Sequence, residues 1–258
     1  MDTVTRFDDR ADDYVKYRPT YPAAAIDAIL DGLGPADRIA AADVGAGTGI
    51  SARLLGDRGA RVIACEPGES MRRAAAAHRH VTWIATLAEA VALRTASVDL
   101  VVSAQAFHWF RAPEALAEFA RVLKPGGRLA IMWNRRSRTD PLTVGYRKAI
   151  LDAGGESGHE QMPFDPSVVP ASGRFPAPER LAFPHVQRLD LPGFIGRAWS
   201  ASYVPKTGDA SVQLLDTLRA LHARYADANG FVTIVYETEI YRSPVKGPRE
   251  SFPGQTET

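Results

Sequence analysis

Three clusters of residues in this 258-residue chain have types and spacings that could do chemistry. The first is Asp43 with Gly45, Ala46, Gly47 and Gly49, in the string IAAADVGAGTGI (39–50). An apolar run that breaks into alternating glycines predicts a strand, a tight turn and the start of a helix, whose free N–H groups and bare backbone suit a cofactor. A dinucleotide site would want Gly or Ala where Ile50 stands, and Asp43 would repel a pyrophosphate but welcome an ammonium group. Glu66, ending the apolar run 61–65, can accept hydrogen bonds from both ribose hydroxyls of an adenosine, with Met71 against the base.

The second cluster, Gln105, Phe107, His108 and Trp109, follows the β-branched run 98–104. Ligands in open α/β sheets sit beyond the carboxyl ends of the strands, so these side chains should face the reacting group. His108 is a natural general base there, or a group that orients the ligand; Phe107 and Trp109 would shape the pocket and contact a cation. The third cluster, Arg197, Trp199, Ser202 and Tyr203, lies in FIGRAWSASYV (194–204). An arginine there suits an acidic ligand through a bidentate contact, or stands in water.

The elements that must hold these clusters alternate. Helical spacing over 22–33, 50–59, 70–79 and 113–123 is interleaved with strand patterns over 39–44, 61–65, 81–85, 98–104 and 128–133, the last reached through a turn at 124–127. Repeated strand–helix alternation predicts a Rossmann-like α/β fold with a mostly parallel sheet and helices on both faces. A short helix is expected over 7–17, ended by Pro19, and further helices over 141–153 and 212–225. Residues 154–184 show no periodicity and read as an ordered loop or cap, since Phe164, Phe175 and Phe183 need burial. A sixth strand is expected over 186–191, a strongly alternating seventh over 231–241, and a disordered tail over 243–258. The expected organisation is one domain, 1–242: an N-terminal lid (1–22), a cofactor core (35–134), a cap with the sixth strand (141–225) and a last strand (230–242).

A formal net charge of +1, with no basic block, argues against a nucleic-acid partner or an anionic membrane surface. Cys65 is the one cysteine and reads as a small buried thiol. No signal-peptide pattern and no apolar run of about 20 residues is present, so a cytoplasmic protein is expected, as a monomer or homodimer acting on small molecules without a metal.

DVGAGTG (43–49) resembles motif I of class I S-adenosylmethionine (SAM)-dependent methyltransferases. FDDRADDYVKYRPTYP (7–22) is similar to the opening of their trans-aconitate methyltransferase-like subgroup, and the pair AQAFHWF (104–110) and RVLKPGG (121–127) is carried by that subgroup too. The resemblance implies seven strands, the last antiparallel, and methyl transfer from SAM to a small molecule, with a carboxylate oxygen as one acceptor. It implies that the glycine turn lines the methionine part of SAM, with Asp43 near its amino group through water. Tyr14, Tyr17 and Arg18 would form a lid, Arg18 facing the SAM carboxylate. Ala88 and Glu89 match the adenine edge, although Thr86 departs from the glycine of many relatives. Gln105 joins the cofactor set, His108 and Trp109 lie near the transferable methyl, and Arg197, Trp199 and Tyr203 cover the acceptor. Alternatives are hydroxyl or amine methylation with His108 as base, a nicotinamide oxidoreductase supported by the glycine turn alone, and a SAM-binding protein without turnover.

Overall fold

The computed structural model describes residues 16–154, 164–201 and 204–246. Helix α1 (Ala23–Leu30) buries Ala25, Ile26, Ile29 and Leu30 along one face. The run of small residues that follows forms β1 (Ala40–Val44), and the glycine turn leads into α2 (Ile50–Asp57). Then come β2 (Arg61–Cys65), α3 (Glu69–Ala74), β3 (Val81–Ile84), β4 (Val98–Ala104), α4 (Ala112–Val122) and β5 (Leu123–Arg136). After α5 (Pro141–Gly154) and the single turn α6 (Val168–Ala171), the chain forms β6 (Glu179–Leu189), α7 (Leu191–Trp199), α8 (Asp209–Tyr225) and β7 (Val232–Pro244).

The seven strands form one sheet in the order β3-β2-β1-β4-β5-β7-β6, with β7 antiparallel to both neighbours and the first five strands parallel. One face packs α1 and α2 through Ile26, Ile29, Leu55, Leu100 and Val102, and the other packs α4 through Leu116, Phe119, Val101 and Ile131. Burying each such aliphatic or aromatic side chain stabilises the fold by about 1.5–3 kcal/mol. A separate apolar cluster joins α5, α7 and α8 to the start of β7 through Tyr146, Phe194, Leu218 and Ile234, and caps the sheet near the ends of β5 and β7.

The parallel order explains the site's location. The connection leaving β1 runs to β2 on one side and the connection leaving β4 runs to β5 on the other, so a crevice opens between the carboxyl ends of β1 and β4.

Several sequence expectations shift. LKPGG does not turn α4 back before a separate strand; it lies inside β5 as a bulge, where pairing jumps from Val98 with Leu123 to Leu100 with Arg128. Strand β6 begins at Glu179, seven residues before the expected start, and accommodates Pro184 because it is an edge strand. Helix α7 was hidden by its Pro192, Gly193 and Gly196, yet Asp190 caps it by accepting the Gly193 N–H at 2.8 Å. Helix α3 stops at Ala74, five residues short of the expected end. β7 continues to Pro244 with Ser243 buried, two residues beyond the boundary expected at 242. The helix expected over 7–17 falls mostly outside the described residues, as does the tail from 247. Phe175 is fully buried, and Phe164 and Phe183 pack against the two core faces, as their apolarity required.

Candidate functional site

At the end of β1 the chain turns through Gly45, Gly47 and Gly49, with φ of 72°, 57° and 76°. Side chains rarely adopt these angles. The approach of the neighbouring loop is also tight at Gly45, where a Cβ would stand 2.5 Å from the Ala106 Cβ and 2.9 Å from Phe110 Cζ. The turn is thereby pressed against the segment after β4, while the Gly45 and Ala46 amides both donate to the Cys65 carbonyl at 2.9 and 3.1 Å.

Two acids flank this turn. Asp43 is fully buried; its Oδ2 accepts the Ser51 hydroxyl at 2.6 Å, and its Oδ1 accepts no hydrogen bond among the described residues. Burial pushes the Asp43 carboxyl up to about 7, aided by the nearby negative Glu66 and opposed by Ser51 and the Ala52 amide. Glu66 accepts the Gly47 N–H at 2.9 Å through Oε2 and the Gly68 N–H at 2.8 Å through Oε1. Burial raises the Glu66 pKa as well, held back by Gly68, Gly47 and Arg72. Cys65 is a buried thiol pushed up to about 12 by burial and then by the two acids, so it is an inert core residue.

Beyond β4, Gln105 has φ of 58°, a left-handed backbone in a residue other than glycine. Its N–H donates to the Met132 carbonyl at 2.9 Å and its side-chain amide to the Asn134 carbonyl at 3.4 Å, so β5 holds the unusual turn in place. A short 3-10 turn, Phe107–Trp109, then points His108 between two indoles, with ring centroids 4.5 Å from Trp109 and 5.2 Å from Trp133. Met71 and Ala88 are buried, and Ala88 packs in one cluster with Ala42, Val44 and Cys65. Glu89 accepts the Arg111 N–H at 2.8 Å and so caps the start of α4. The adjoining segment is latched by the Thr86 hydroxyl, which donates to the Ala90 carbonyl and accepts the Ala92 N–H.

A strap formed by residues 17–20 crosses the carboxyl end of the sheet. Gln187 donates to the Tyr17 carbonyl at 2.9 Å, Asn134 to the Thr20 carbonyl at 2.9 Å, and Arg18 to the Ser200 carbonyl at 3.1 Å. The Tyr17 ring lies directly on Gly196 of α7. Arg197, only 4% exposed, donates from Nη1 to the Ser200 hydroxyl at 3.1 Å; Trp199, at the end of the same helix, is half-buried. Opposite them, Arg136 and Tyr236 are paired across β5 and β7, and the Tyr236 hydroxyl donates to Gln187 Oε1 at 3.3 Å.

The fold therefore brings Asp43, Gly45, Ala46, Gly47, Gly49, Glu66, Gln105, His108 and Trp109 to neighbouring strand ends. Arg18 and Arg197 share Ser200 near the ends of β5 and β7, while Tyr14 and Tyr203 lie outside the described residues. Sequence reasoning missed Ser51, Trp133, Asn134, Arg136, Gln187 and Tyr236. The polar residues ending the apolar run of β5 were a usable signal, since the rule applied to the end of β4 applies equally to its neighbour. Among the described residues no group of His, Cys, Asp and Glu could hold a metal ion, and no helix is long and apolar enough to cross a membrane.

Comparison with known proteins adds to this geometry. The methyltransferase domain family matches residues 42–131. An uncharacterised methyltransferase of Mycobacterium tuberculosis (strain H37Rv) is 33% identical over 244 residues, covering 89% of this chain and 91% of that protein. Among solved structures, a candidate type II methyltransferase from Anaeromyxobacter dehalogenans is 26% identical with a TM-score of 0.61, covering 88% of this chain and 97% of that one. The YcgJ protein of Bacillus subtilis, 15% identical with a TM-score of 0.57, covers 88% of this chain and 100% of its own and shares the fold.

Proposed function

The chain belongs to the class I SAM-dependent methyltransferases, and we propose that it methylates a small-molecule acid on a carboxylate oxygen. SAM, the cofactor of this family, supplies an electrophilic methyl group for in-line displacement. The chain's residues fit it. Asp43 Oδ1 is a buried acceptor without a hydrogen bond, which a ligand bearing an ammonium group would satisfy directly or through water. Each Glu66 oxygen takes one backbone N–H, which leaves lone pairs for two ribose hydroxyls. The bare glycine turn between them lets a ligand approach the backbone.

These observations support Asp43, Gly45, Ala46, Gly47, Gly49 and Glu66 as the residues that hold SAM, with Met71 and Ala88 beside the adenine and Gln105 near the methionine end. Glu89 and Arg18 have Arg111 and Ser200 as partners, which favours positioning roles.

The observation that carries an acidic acceptor is Arg197. Its guanidinium is buried in the helix over the sheet's carboxyl end, with no carboxylate partner among the described residues. An ionised carboxylate is already a nucleophile at neutral pH, so no proton need be removed. His108, wedged between Trp109 and Trp133, then walls the pocket and orients the acceptor. A second reading, a hydroxyl or amine acceptor whose proton His108 takes, is supported by the position of His108 just beyond the end of β4.

Incubation with methyl-labelled SAM and a panel of small acids, phenols and amines, followed by mass, tests both. Methyl esters are the expected products. Label confined to ethers or methylamines would replace the first reading by the second. SAM binding without any labelled product would make the protein a SAM binder without turnover.

A further inference from the structure

We propose that Arg197, Arg136 and Tyr236 form an anion subsite that grips a carboxylate of the acceptor other than the group that is methylated. This rests on the methyltransferase reading and deepens it, because it makes the acceptor a molecule with at least two polar functions, one of them a spectator anion.

The geometry begins with strand register. Arg136 stands directly opposite Tyr236 in the antiparallel β5–β7 ladder, so their side chains leave the same face of the sheet. Arg197 lies on α7, whose Phe194 and Ala198 pack in one buried cluster with Tyr236, and the guanidinium groups of both arginines act on the Tyr236 hydroxyl. Burial raises the Tyr236 pKa most strongly, yet the two cations outweigh it and hold the phenol below its ordinary value. The neighbourhood is therefore positively charged around a buried hydroxyl.

Arg197 has more donors than its surroundings use. Its Nη1 donates to Ser200 Oγ at 3.1 Å, and that hydroxyl in turn donates to the Arg197 carbonyl at 2.8 Å. This closes the end of α7, but Arg197 Nε is buried and has no hydrogen-bond partner. A guanidinium carries five N–H donors, and a buried one is costly until it is paired with a matching anion. A carboxylate meets that need with two parallel N–H···O contacts, while Tyr236, whose hydroxyl donates to Gln187, holds the two guanidinium groups beside it.

Such a grip decides which oxygen reacts. A carboxylate bound by guanidinium has its charge neutralised and its lone pairs engaged, so it is a poor nucleophile. The methyl-accepting oxygen must belong to another group of the same molecule, presented toward His108 and the end of β4.

Calorimetric titration of the S-adenosylhomocysteine-saturated full chain with acetate, succinate and inorganic phosphate tests the subsite, with succinamide as the uncharged control. At least one of the three anions is expected to bind, and succinamide is not. Arg197→Gln should weaken anion binding at least tenfold while S-adenosylhomocysteine affinity changes less than twofold; Tyr236→Phe should weaken it less. Where Arg197→Gln does not fold, Arg197→Lys, which keeps the charge but loses the fork, should still weaken binding severalfold. Failure of all three anions to bind the wild type, or equal binding by the Arg197 and Tyr236 variants, would overturn the subsite. Anion binding by a chain that ignores S-adenosylhomocysteine would instead overturn the methyltransferase reading and leave the subsite standing.

Discussion

Glu66 reaches across from the end of β2 to accept the Gly47 amide hydrogen at 2.9 Å, so the carboxylate assigned to the ribose also props the glycine turn. The two roles are compatible because one lone pair serves each, and burial makes the arrangement costly for the ionised acid. Glu66→Gln removes the buried charge but turns an NH2 group toward one of the two backbone N–H donors, so the gain and the loss offset and stability near neutral pH is expected to change by no more than about 1–2 kcal/mol. SAM affinity should nonetheless fall by roughly tenfold or more, the value of one charge-assisted hydrogen bond. Denaturant unfolding and calorimetric SAM titration of the same sample separate the two effects, and a variant that binds SAM normally would remove Glu66 from the site.

Gly45→Ala should be much more damaging than Gly126→Ala. Both glycines have positive φ, 72° and 79°, but a Cβ at Gly45 meets Ala106 at 2.5 Å and one at Gly126 meets nothing within 4 Å. Left-handed geometry alone costs about 1–2 kcal/mol, and overpacking adds about 1–3 kcal/mol. Urea unfolding should therefore show a loss of roughly 2–5 kcal/mol for Gly45→Ala against about 1–2 kcal/mol for Gly126→Ala, and equal losses would contradict the close packing of the turn on the β4 loop.

Asp43 predicts a pH dependence of stability. Its folded pKa of about 7 lies above the ordinary value of 3.8, so from about pH 4 to pH 7 the folded chain keeps a proton that the unfolded chain has released. Its contribution is fully present below the unfolded pKa and declines as pH rises through that window, by on the order of 4 kcal/mol in all. Asp43→Asn, which can still accept the Ser51 hydroxyl, should flatten the decline and be the more stable form at pH 8. Unfolding curves at pH 5 and pH 8 that are displaced equally for both proteins would show that Asp43 does not titrate in this range.

His108→Ala separates a pocket wall from a base. With an acid as acceptor, kcat is expected to fall less than about tenfold, whereas a hydroxyl acceptor relying on His108 would lose roughly 100-fold or more. Labelled methyl incorporation measured on the full chain with both acceptor types reads the difference directly.

Local pattern alone determined the β-branched strands, the glycine turn and the placement of Asp43 and Glu66 beside it. Strand periodicity, turn chemistry and the rule that ligands sit at strand carboxyl ends all act within about ten residues or within one repeating unit. The same reasoning failed over α7, where Pro192 and two glycines masked a helix that Asp190 caps and Tyr17 covers. It also placed the start of β6 seven residues late, since Pro184 is tolerated in what is an edge strand among the described residues. Tertiary structure alone decided which distant groups meet: Ser51 with Asp43, His108 between two tryptophans, Arg136 opposite Tyr236 with Arg197 above them. Those meetings depend on strand register and on helices packed from segments far apart in the chain, and no local periodicity encodes the partner of a side chain across such a distance.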